Sequence, residues 1–304
     1  MKALYWIIAS LVTLSGLGTM AIGAGKMKAQ KPTYSSSKES YEGIKNLDID
    51  LGSEELTVIS TADAKSCTVE LCEVSDRVIV SQDGDILRIS YKPNSDFQLF
   101  AFQTPNSKVI ITLPEDVLGS VKLDNGSGGM SIEHLKADTI KAETGSGGIA
   151  VKDTESRVGE IRTGSGGIAI ADTTFSEDAK LHSGSGGIAG QSFAAPGKLS
   201  LDTGSGSVKM EGVTAGKTTA VSGSGSLHLT NLTLTDTSSF KAGSGSIELT
   251  LAGDPADYIV SAQSGSGQTQ IEGLDKEKHA DAVNVTTVTG SGNVKVFFER
   301  NQAE

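Results

Sequence analysis

The tripeptide Gly-Ser-Gly recurs nine times in this chain, and this repeat constrains the fold more than any other feature. The steps between successive copies are 19, 19, 20, 20, 19, 20, 22 and 25 residues. A period near twenty residues is typical of stacked coils, because a single coil of that size cannot bury its apolar face alone. The copies begin at Gly126, Gly145, Gly164, Gly184, Gly204, Gly223, Gly243, Gly265 and Gly290.

Apolar residues alternate with polar or small residues on both sides of each tripeptide, and they align in columns. Three residues before the first glycine stand Leu123, Ala142, Ile161, Leu181, Leu201, Ala220, Phe240, Ala262 and Thr287. Four residues after it stand Met130, Ile149, Ile168, Ile188, Val208, Leu227, Ile247, Thr269 and Val294. Six residues after it stand Ile132, Val151, Ile170, Gly190, Met210, Leu229, Leu249, Ile271 and Val296.

Period-two alternation around a glycine turn predicts strand, turn and strand, with one face of each strand in a core. The sequence therefore predicts an all-β, single-stranded β-solenoid with parallel strands and, by the crossover rule, right-handed winding. Glycine in the turn predicts a backbone with positive φ, which carries no Cβ penalty for this residue. The nine central serines are predicted to hydrogen-bond the turn backbone or the next coil. They are not predicted nucleophiles, because no base recurs beside them.

The first 42 residues differ from the repeat region. Met1 and Lys2 precede an uncharged stretch, 3–25, that ends in small residues. This order is typical of a secretory signal peptide, and the stretch is also long enough for an uncleaved, helical membrane anchor. The polar run 26–42 predicts a linker. We therefore expect an extracytoplasmic protein, in the periplasm, at the cell surface or secreted, with anchoring to the inner membrane as the alternative.

Residues 43–120 lack the tripeptide but carry similar columns around other turns. Gly52-Ser53, Asp83-Gly84-Asp85 and Pro105-Asn106 each stand between alternating apolar residues. We predict degenerate N-terminal coils over 43–120 and the repeat solenoid over 121–304, with about twelve coils in all. The adjacent Phe297 and Phe298 are predicted to plug the end of the last coil, since an uncovered edge promotes aggregation.

The chain is acidic, with a net charge of −11 and a pI near 4.9. This balance argues against binding of nucleic acid or of anionic lipid surfaces, so membrane contact is expected only through residues 3–25 if they stay uncleaved. Cys67 and Cys72 would lie about 16 Å apart on opposite faces of a single strand, too far for a disulfide. A turn at Val69 and Glu70 would instead allow one. The single strand is favoured.

No residue pattern predicts a catalytic, cofactor or metal site. The turns lack the aspartates of calcium-binding β-roll repeats, and the histidines do not recur at a constant spacing, as metal ligands would. One alternative is a glycan-cleaving pair of acids. Eight residues after the tripeptide, consecutive coils offer His134, Asp153 and Asp172. The same positions suit a corner of the coil, where Asp is a good turn residue.

A second candidate is a strip of small residues on the outward face. Ala150, Ala169 and Ala189 occupy equivalent places in consecutive coils and are flanked by Ala171. In register they would form a flat, weakly apolar surface suited to a sugar face or to a second solenoid. Neutral filling of an exposed strand is the plainer interpretation.

The array Thr-Gly-Ser-Gly-Gly-Ile-Ala-Val (144–151), Thr-Gly-Ser-Gly-Gly-Ile-Ala-Ile (163–170) and Thr-Gly-Ser-Gly-Ser-Val (203–208), preceded by Val-Ile-Ile-Thr-Leu-Pro (109–114), resembles the bacterial putative-adhesin family. The resemblance covers about residues 43–300. It implies a β-solenoid similar in appearance to the heads of autotransporter adhesins. The family consists of domains of unknown function, so the resemblance implies no catalytic residue.

These observations together predict an exported, non-enzymatic solenoid that presents an extended surface to an unknown protein or glycan. No cofactor is expected. The first alternative is a periplasmic or membrane-anchored envelope scaffold, for which the stretch 3–25 would serve as anchor. The second is a polysaccharide-active enzyme that uses Asp153 and Asp172.

Overall fold

The computed structural model describes residues 33–92, 107–273 and 277–299. The predicted signal peptide or anchor lies outside these residues, and so does the turn predicted at Pro105-Asn106. The described part is all β, with 23 strands joined in one sheet, one short 3-10 helix at Pro255–Asp257 and no α-helix. None of its helical segments has the length and apolar character needed to cross a membrane.

The strands fall into three groups along the chain. The first seven are β1 (Tyr34–Tyr41), β2 (Asn46–Leu51), β3 (Glu55–Ser60), β4 (Cys67–Ser75), β5 (Val78–Asp83), β6 (Ile86–Tyr91) and β7 (Lys108–Leu113). The repeat region holds β8 (Val117–Asn125), β9 (Met130–Glu133), β10 (Lys136–Thr144), β11 (Ile149–Lys152), β12 (Glu155–Thr163), β13 (Ile168–Phe175), β14 (Ala179–Ser183), β15 (Ile188–Thr203), β16 (Val208–Ser222), β17 (Leu227–Leu234), β18 (Ser238–Ala242) and β19 (Ile247–Leu251). The last four are β20 (Tyr258–Ser264), β21 (Thr269–Ile271), β22 (Val283–Thr289) and β23 (Val294–Phe298).

Two parallel ladders organise these strands, one before the turns and one after them. Ladder A runs in the order β6, β2, β8, β10, β12, β14, β15, β16, β18, β22 and β20. Ladder B runs in the order β7, β3, β9, β11, β13, β15, β16, β17, β19, β23 and β21. The predicted all-β solenoid is confirmed. Each ladder holds eleven strands among the described residues, so the expected count of about twelve coils is not confirmed.

The predicted apolar columns form the core between the two ladders. Their members are almost all buried, from Leu123 in β8 to Val296 in β23. The exceptions are Gly190, Ala262, Thr269 and Ile271. At Gly190 the neighbouring coils fill the gap, because a Cβ there would lie 2.6 Å from Ile170 Cγ2 and 2.8 Å from Met210 Sδ. The core is therefore continuous from coil to coil.

Close approach between coils, not positive φ, explains the turn glycines. No tripeptide glycine has a positive φ. A Cβ on Gly147 would lie 2.0 Å from the carbonyl oxygen of Gly128 one coil earlier, and a Cβ on Gly166 would lie 2.0 Å from that of Gly147. The prediction of left-handed turns is therefore wrong. The turns stack so tightly that only a residue without a Cβ fits.

A buried hydroxyl directly before the turn links successive coils. Thr163 Oγ1 donates to the Gly147 carbonyl of the preceding coil at 2.8 Å and accepts from the Gly166 N–H of its own coil at 3.1 Å. Thr144 and Thr289 make the same two bonds. This polar column lies on the buried face and ties each turn to the next.

The coils at both ends do not stack in chain order. The coil of β2 and β3 lies between that of β6 and β7 and that of β8 and β9. Likewise β22 and β23 lie between β18 and β19 on one side and β20 and β21 on the other. The coil that carries the buried Val285, Val294 and Val296 takes the interior place. Phe298 therefore does not plug the end of the ladder, as predicted, but packs against Tyr258 with ring centroids 6.0 Å apart.

Antiparallel strands cover the N-terminal end of both ladders. β4 pairs with β7 and β1 pairs with β4, while β5 pairs with β6 through the turn at Gly84. Residues 34–41, expected to be part of a linker, are thus the outer strand of this cap. The segment around Gly84 was expected to form a coil of the solenoid, but its two strands form an antiparallel hairpin instead.

Candidate binding surface

The outward face of ladder A carries ion pairs over its N-terminal half. Arg88 contacts Asp83 at 2.7 Å and Asp48 at 3.6 Å, and Lys122 contacts Asp48 at 3.4 Å and Asp124 at 3.0 Å. The hydrogen bond to Asp124 raises the pKa of Lys122. These side chains are all partly exposed, so each pair contributes at most about 1 kcal/mol. Their main effect is to neutralise charge locally.

From Ser200 onward, one column of the same face becomes a line of hydroxyls, which we call the hydroxyl face. Its members are Ser200, Thr219, Ser239, Thr286 and Ser261, paired in register from strand to strand. Thr219, Thr286 and Ser261 are exposed and the other two are half-buried. No hydrogen bond within the described residues engages these hydroxyls. They are therefore available to a partner at the strand spacing of about 4.8 Å.

The central serines of the turns form a second line of exposed hydroxyls, one per coil. The hydrogen bonds predicted for these serines are made by their backbone. Ser165 N–H donates to the Gly145 carbonyl at 3.1 Å, and Ser127 N–H donates to the Gly52 carbonyl at 2.7 Å. The side chains point away from the coil.

The three residues considered for glycan cleavage occupy a corner of the coil. His134, Asp153 and Asp172 have φ of 54°, 46° and 48°, and the equivalent Ser192 and Asn231 have 51° and 50°. This left-handed conformation favours Asp, Asn, His and glycine, which accounts for the column. His134 Nδ1 lies 3.7 Å from Asp153 and Lys152 Nζ 3.3 Å from it, so the Asp153 carboxylate already has a cationic neighbour in Lys152.

Every histidine of the chain faces one carboxylate, in most cases on an adjacent coil. His182 lies 3.1 Å from Asp202 and His228 lies 3.5 Å from Glu248. His279 lies 2.7 Å from Asp257. Among the described residues no three His, Cys, Asp or Glu side chains cluster as metal ligands would.

Ala150, Ala169 and Ala189 are adjacent on the outward face of ladder B, in the register expected. Ala171, next to this strip, is buried although it lies on the same side. Its register partners are Lys152 and Gln191, whose long side chains flank it. The strip is therefore narrow and bordered by polar side chains.

Both cysteines lie in the single strand β4 and are free thiols. Cys67 is buried, and burial raises the pKa of its thiol to about 12. Cys72 is half-buried, and its pKa is also raised, first by burial and then by Glu70. Neither thiol is positioned as a reactive nucleophile.

A shallow cavity of about 390 Å³ lies where the chain crosses from β19 to β20. Thr233, Asp257, Tyr258 and Asp281 contribute to its lining. Tyr258 donates its hydroxyl hydrogen to the Ala252 carbonyl at 2.9 Å, and Asp257 is engaged by His279. The cavity thus follows from the displaced coil order, and two of the polar side chains in its lining are partnered within the chain.

Comparison with known proteins agrees with this architecture. A family model described as Toastrack DUF4097 matches residues 44–301. The chain belongs to this family. The resemblance to bacterial putative adhesins is confirmed at the level of this family. No curated protein matches this Toastrack chain.

Two solved structures illustrate what this Toastrack chain is similar to. One, described as a putative lipid binding protein from Parabacteroides distasonis ATCC 8503, is 15% identical with a TM-score of 0.52, over 87% of this chain and 96% of that one. The other, described as a putative adhesin from Parabacteroides merdae ATCC 43184, is 12% identical with a TM-score of 0.43. The match covers 87% of this chain and 96% of that one. At such identities the similarity concerns the fold alone.

Proposed function

We propose that this protein is an exported, non-enzymatic scaffold whose hydroxyl face binds an extended partner of the cell envelope, a glycan or a protein. The observation that supports this proposal is the register of the five hydroxyl side chains on one flat ladder, free of internal hydrogen bonds. The uncharged stretch 3–25 supports export. The partner would be bound in the periplasm or at the cell surface.

Affinity would come from many shallow contacts repeated at the coil spacing. Each hydroxyl contributes one donor and two acceptor sites, and a neutral hydrogen bond is worth about 0.5–1.5 kcal/mol net. The two central outward columns of ladder A stand four and two residues before the tripeptide. After Asp202, Lys241 is the one charged side chain in these two columns. The face would therefore select polar, uncharged or weakly acidic surfaces over basic ones.

Two pairs of substitutions in the same two coils test the face directly. Thr219→Glu with Ser239→Glu places two carboxylates on the hydroxyl face. Thr230→Glu with Thr250→Glu places the same charges on ladder B, on the other side of the same coils. Binding of the purified chain to envelope fractions from the producing cells should fall at least tenfold for the first pair and stay within about twofold for the second.

Equal loss in the two pairs would contradict the assignment of the face. A single alanine substitution on this face that abolishes binding without unfolding the chain would contradict the distributed mode of binding. Protease treatment of intact cells carrying a tagged copy separates the compartments, because digestion from outside indicates the cell surface and protection until the envelope is opened indicates the periplasm.

A further inference from the structure

The C-terminal end of the ladders is formed by residues 258–271, which we call the end coil and which no strand among the described residues covers. β20 pairs only with β22 and β21 only with β23, and none of the described residues pairs with their outer edges. Inward-facing Val260, Ala262 and Ile271 are only half-buried, and Thr269 is exposed. The edge therefore presents unpaired backbone N–H and C=O groups next to accessible core residues.

The N-terminal end shows what a covered end looks like in the same molecule. There the core residues Leu87, Ile89, Val109 and Ile111 are 0% exposed. The covering strands also carry charge, as in the pair of Lys38 and Glu70 at 3.2 Å. Charged side chains are a usual protection of sheet edges against pairing with other chains.

The end coil has no such protection. Its sequence, Tyr-Ile-Val-Ser-Ala-Gln-Ser-Gly-Ser-Gly-Gln-Thr-Gln-Ile, contains no Asp, Glu, Lys, Arg or His and no proline, in a chain with a net charge of −11. Ile259 is 44% exposed in its edge strand. Within residues 258–271, the edge strands of two acidic molecules can therefore pair without placing like charges opposite each other.

We propose that the end coil binds the end coil of a second copy of this chain, so that two solenoids join end to end. The chemistry of the edge is self-complementary, because the exposed amides of Gln263 and Gln268 can each donate and accept hydrogen bonds, whereas the Gln270 amide donates to Glu272. A two-fold axis across the ladder ends sets edge strands of the two copies antiparallel, which allows direct backbone pairing. The opposite end is covered, so the association closes at a dimer instead of growing into a fibre.

The test uses charge on the edge strand. In the double variant Ser261→Lys with Gln263→Lys, both substituted side chains are exposed and point outward, so the coil itself keeps its core. Across an antiparallel junction the new cations face one another at close range. Thr219→Lys with Val221→Lys is the matched control, in the same two columns but three coils inward, roughly 14 Å from the edge and beyond the Debye length at physiological salt.

The full-length chain is studied in a mild detergent by sedimentation velocity from about 1 to 100 µM. The unsubstituted chain and the control variant are expected to dimerise, and the edge variant to associate at least tenfold more weakly. A second edge variant, Ser261→Glu with Gln263→Glu, should also be monomeric by itself. Mixing the Lys and Glu edge variants should restore dimers, which misfolded chains would not do.

A monomeric unsubstituted chain over this range would overturn the proposal. So would a dimer that the edge variants leave intact, since the contact would then lie elsewhere. Growth to species larger than dimers would show that the covered end also associates, contrary to the proposed closure.

Discussion

The close stacking of the turns can be tested at two adjacent glycines of one coil. A Cβ on Gly147 would lie 2.0 Å from the Gly128 oxygen, 2.5 Å from the Gly128 carbonyl carbon and 2.9 Å from the Gly129 nitrogen. All three are backbone atoms, which cannot rotate away as a side chain can. At Gly148 the nearest atom is the Gly167 oxygen at 3.4 Å, an ordinary contact. Gly147→Ala and Gly148→Ala therefore make the same chemical change in opposite surroundings.

The expected loss of stability follows from the movement of the turns that a Cβ at Gly147 requires. Relieving a contact of 2.0 Å requires the two turns to separate by roughly 1 Å, and overpacking of this kind typically costs about 1–3 kcal/mol. Separation also weakens the bonds that join this turn to the preceding one, from Thr144 Oγ1 to the Gly128 carbonyl and from the Gly145 N–H to the Gly126 carbonyl, each worth about 1 kcal/mol. We expect Gly147→Ala to lower the free energy of unfolding by about 3–5 kcal/mol. Gly148→Ala should change it by less than about 1 kcal/mol, because alanine also restricts the unfolded chain.

Urea unfolding followed by far-ultraviolet circular dichroism measures the two changes. Amide hydrogen exchange around the substituted turn adds a local measurement, since a solenoid coil interacts mainly with its two neighbours. Equal destabilisation by the two variants would refute the argument from close approach. So would a loss below about 1 kcal/mol for Gly147→Ala.

Three further predictions concern the buried hydroxyl, the corner and the thiol. Thr163→Val should cost about 1–3 kcal/mol in urea unfolding, because the Gly147 carbonyl and the Gly166 N–H lose their partner, whereas Thr219→Val on the exposed face should stay within about 0.5 kcal/mol. Asp172→Gly should be tolerated at the left-handed corner, while Asp172→Val should cost about 1–3 kcal/mol; equal effects in the same assay would contradict the role of φ. Cys67 should resist iodoacetamide at pH 8.5 until the chain unfolds. Because its folded pKa is raised, stability should fall as pH rises from about 8.5, and Cys67→Ala should weaken this dependence, to which Cys72 also contributes.

Periodicity predicted the core well because its information is local. The column from Leu123 to Thr287 could be identified from spacing alone, and even Thr287 lies fully buried where the column places it. The same reasoning missed Thr163, which has the parity of the core columns but is polar. A polar residue at a buried parity, directly before a glycine that tolerates no Cβ, is the signal that would have found it.

The order of the coils could not be predicted from spacing. Which coil lies next to which depends on comparing whole coils, and local alternation is the same in β20 as in β22. At equivalent core positions Val260 is matched by Val285 and Ile271 by Val296, and the main difference is Thr269 in one coil against Val294 in the other. Strand β1 was missed for a related reason, because its exposed polar residues gain order only from pairing with β4.

The residues of the hydroxyl face form a recognisable column in the sequence, but spacing alone did not mark this column as a candidate binding surface. Four residues before the tripeptide stand Lys122, Lys141, Glu160 and Lys180, and then hydroxyl residues from Ser200 onward. The early members suggest a solvated charge ladder, and the structure shows those charges paired. The transition from paired charge to free hydroxyl is what marks one half of the face as different.

The displaced order of the coils and the uncovered end of the ladders have the same energetic cause. Placing the valine-rich coil of β22 and β23 inside buries its apolar side chains, at about 25 cal/mol per Å² of apolar surface, and leaves the coil richest in glutamine at the end. Had the coils stacked in chain order, Val294, Val296 and Phe298 would lie at an uncovered edge and favour indiscriminate aggregation. With the uncharged polar coil outside, the same edge depends more on directional backbone and amide pairing, which a second identical edge can satisfy. The same exchange of coils therefore accounts both for the buried valines and for the uncharged end.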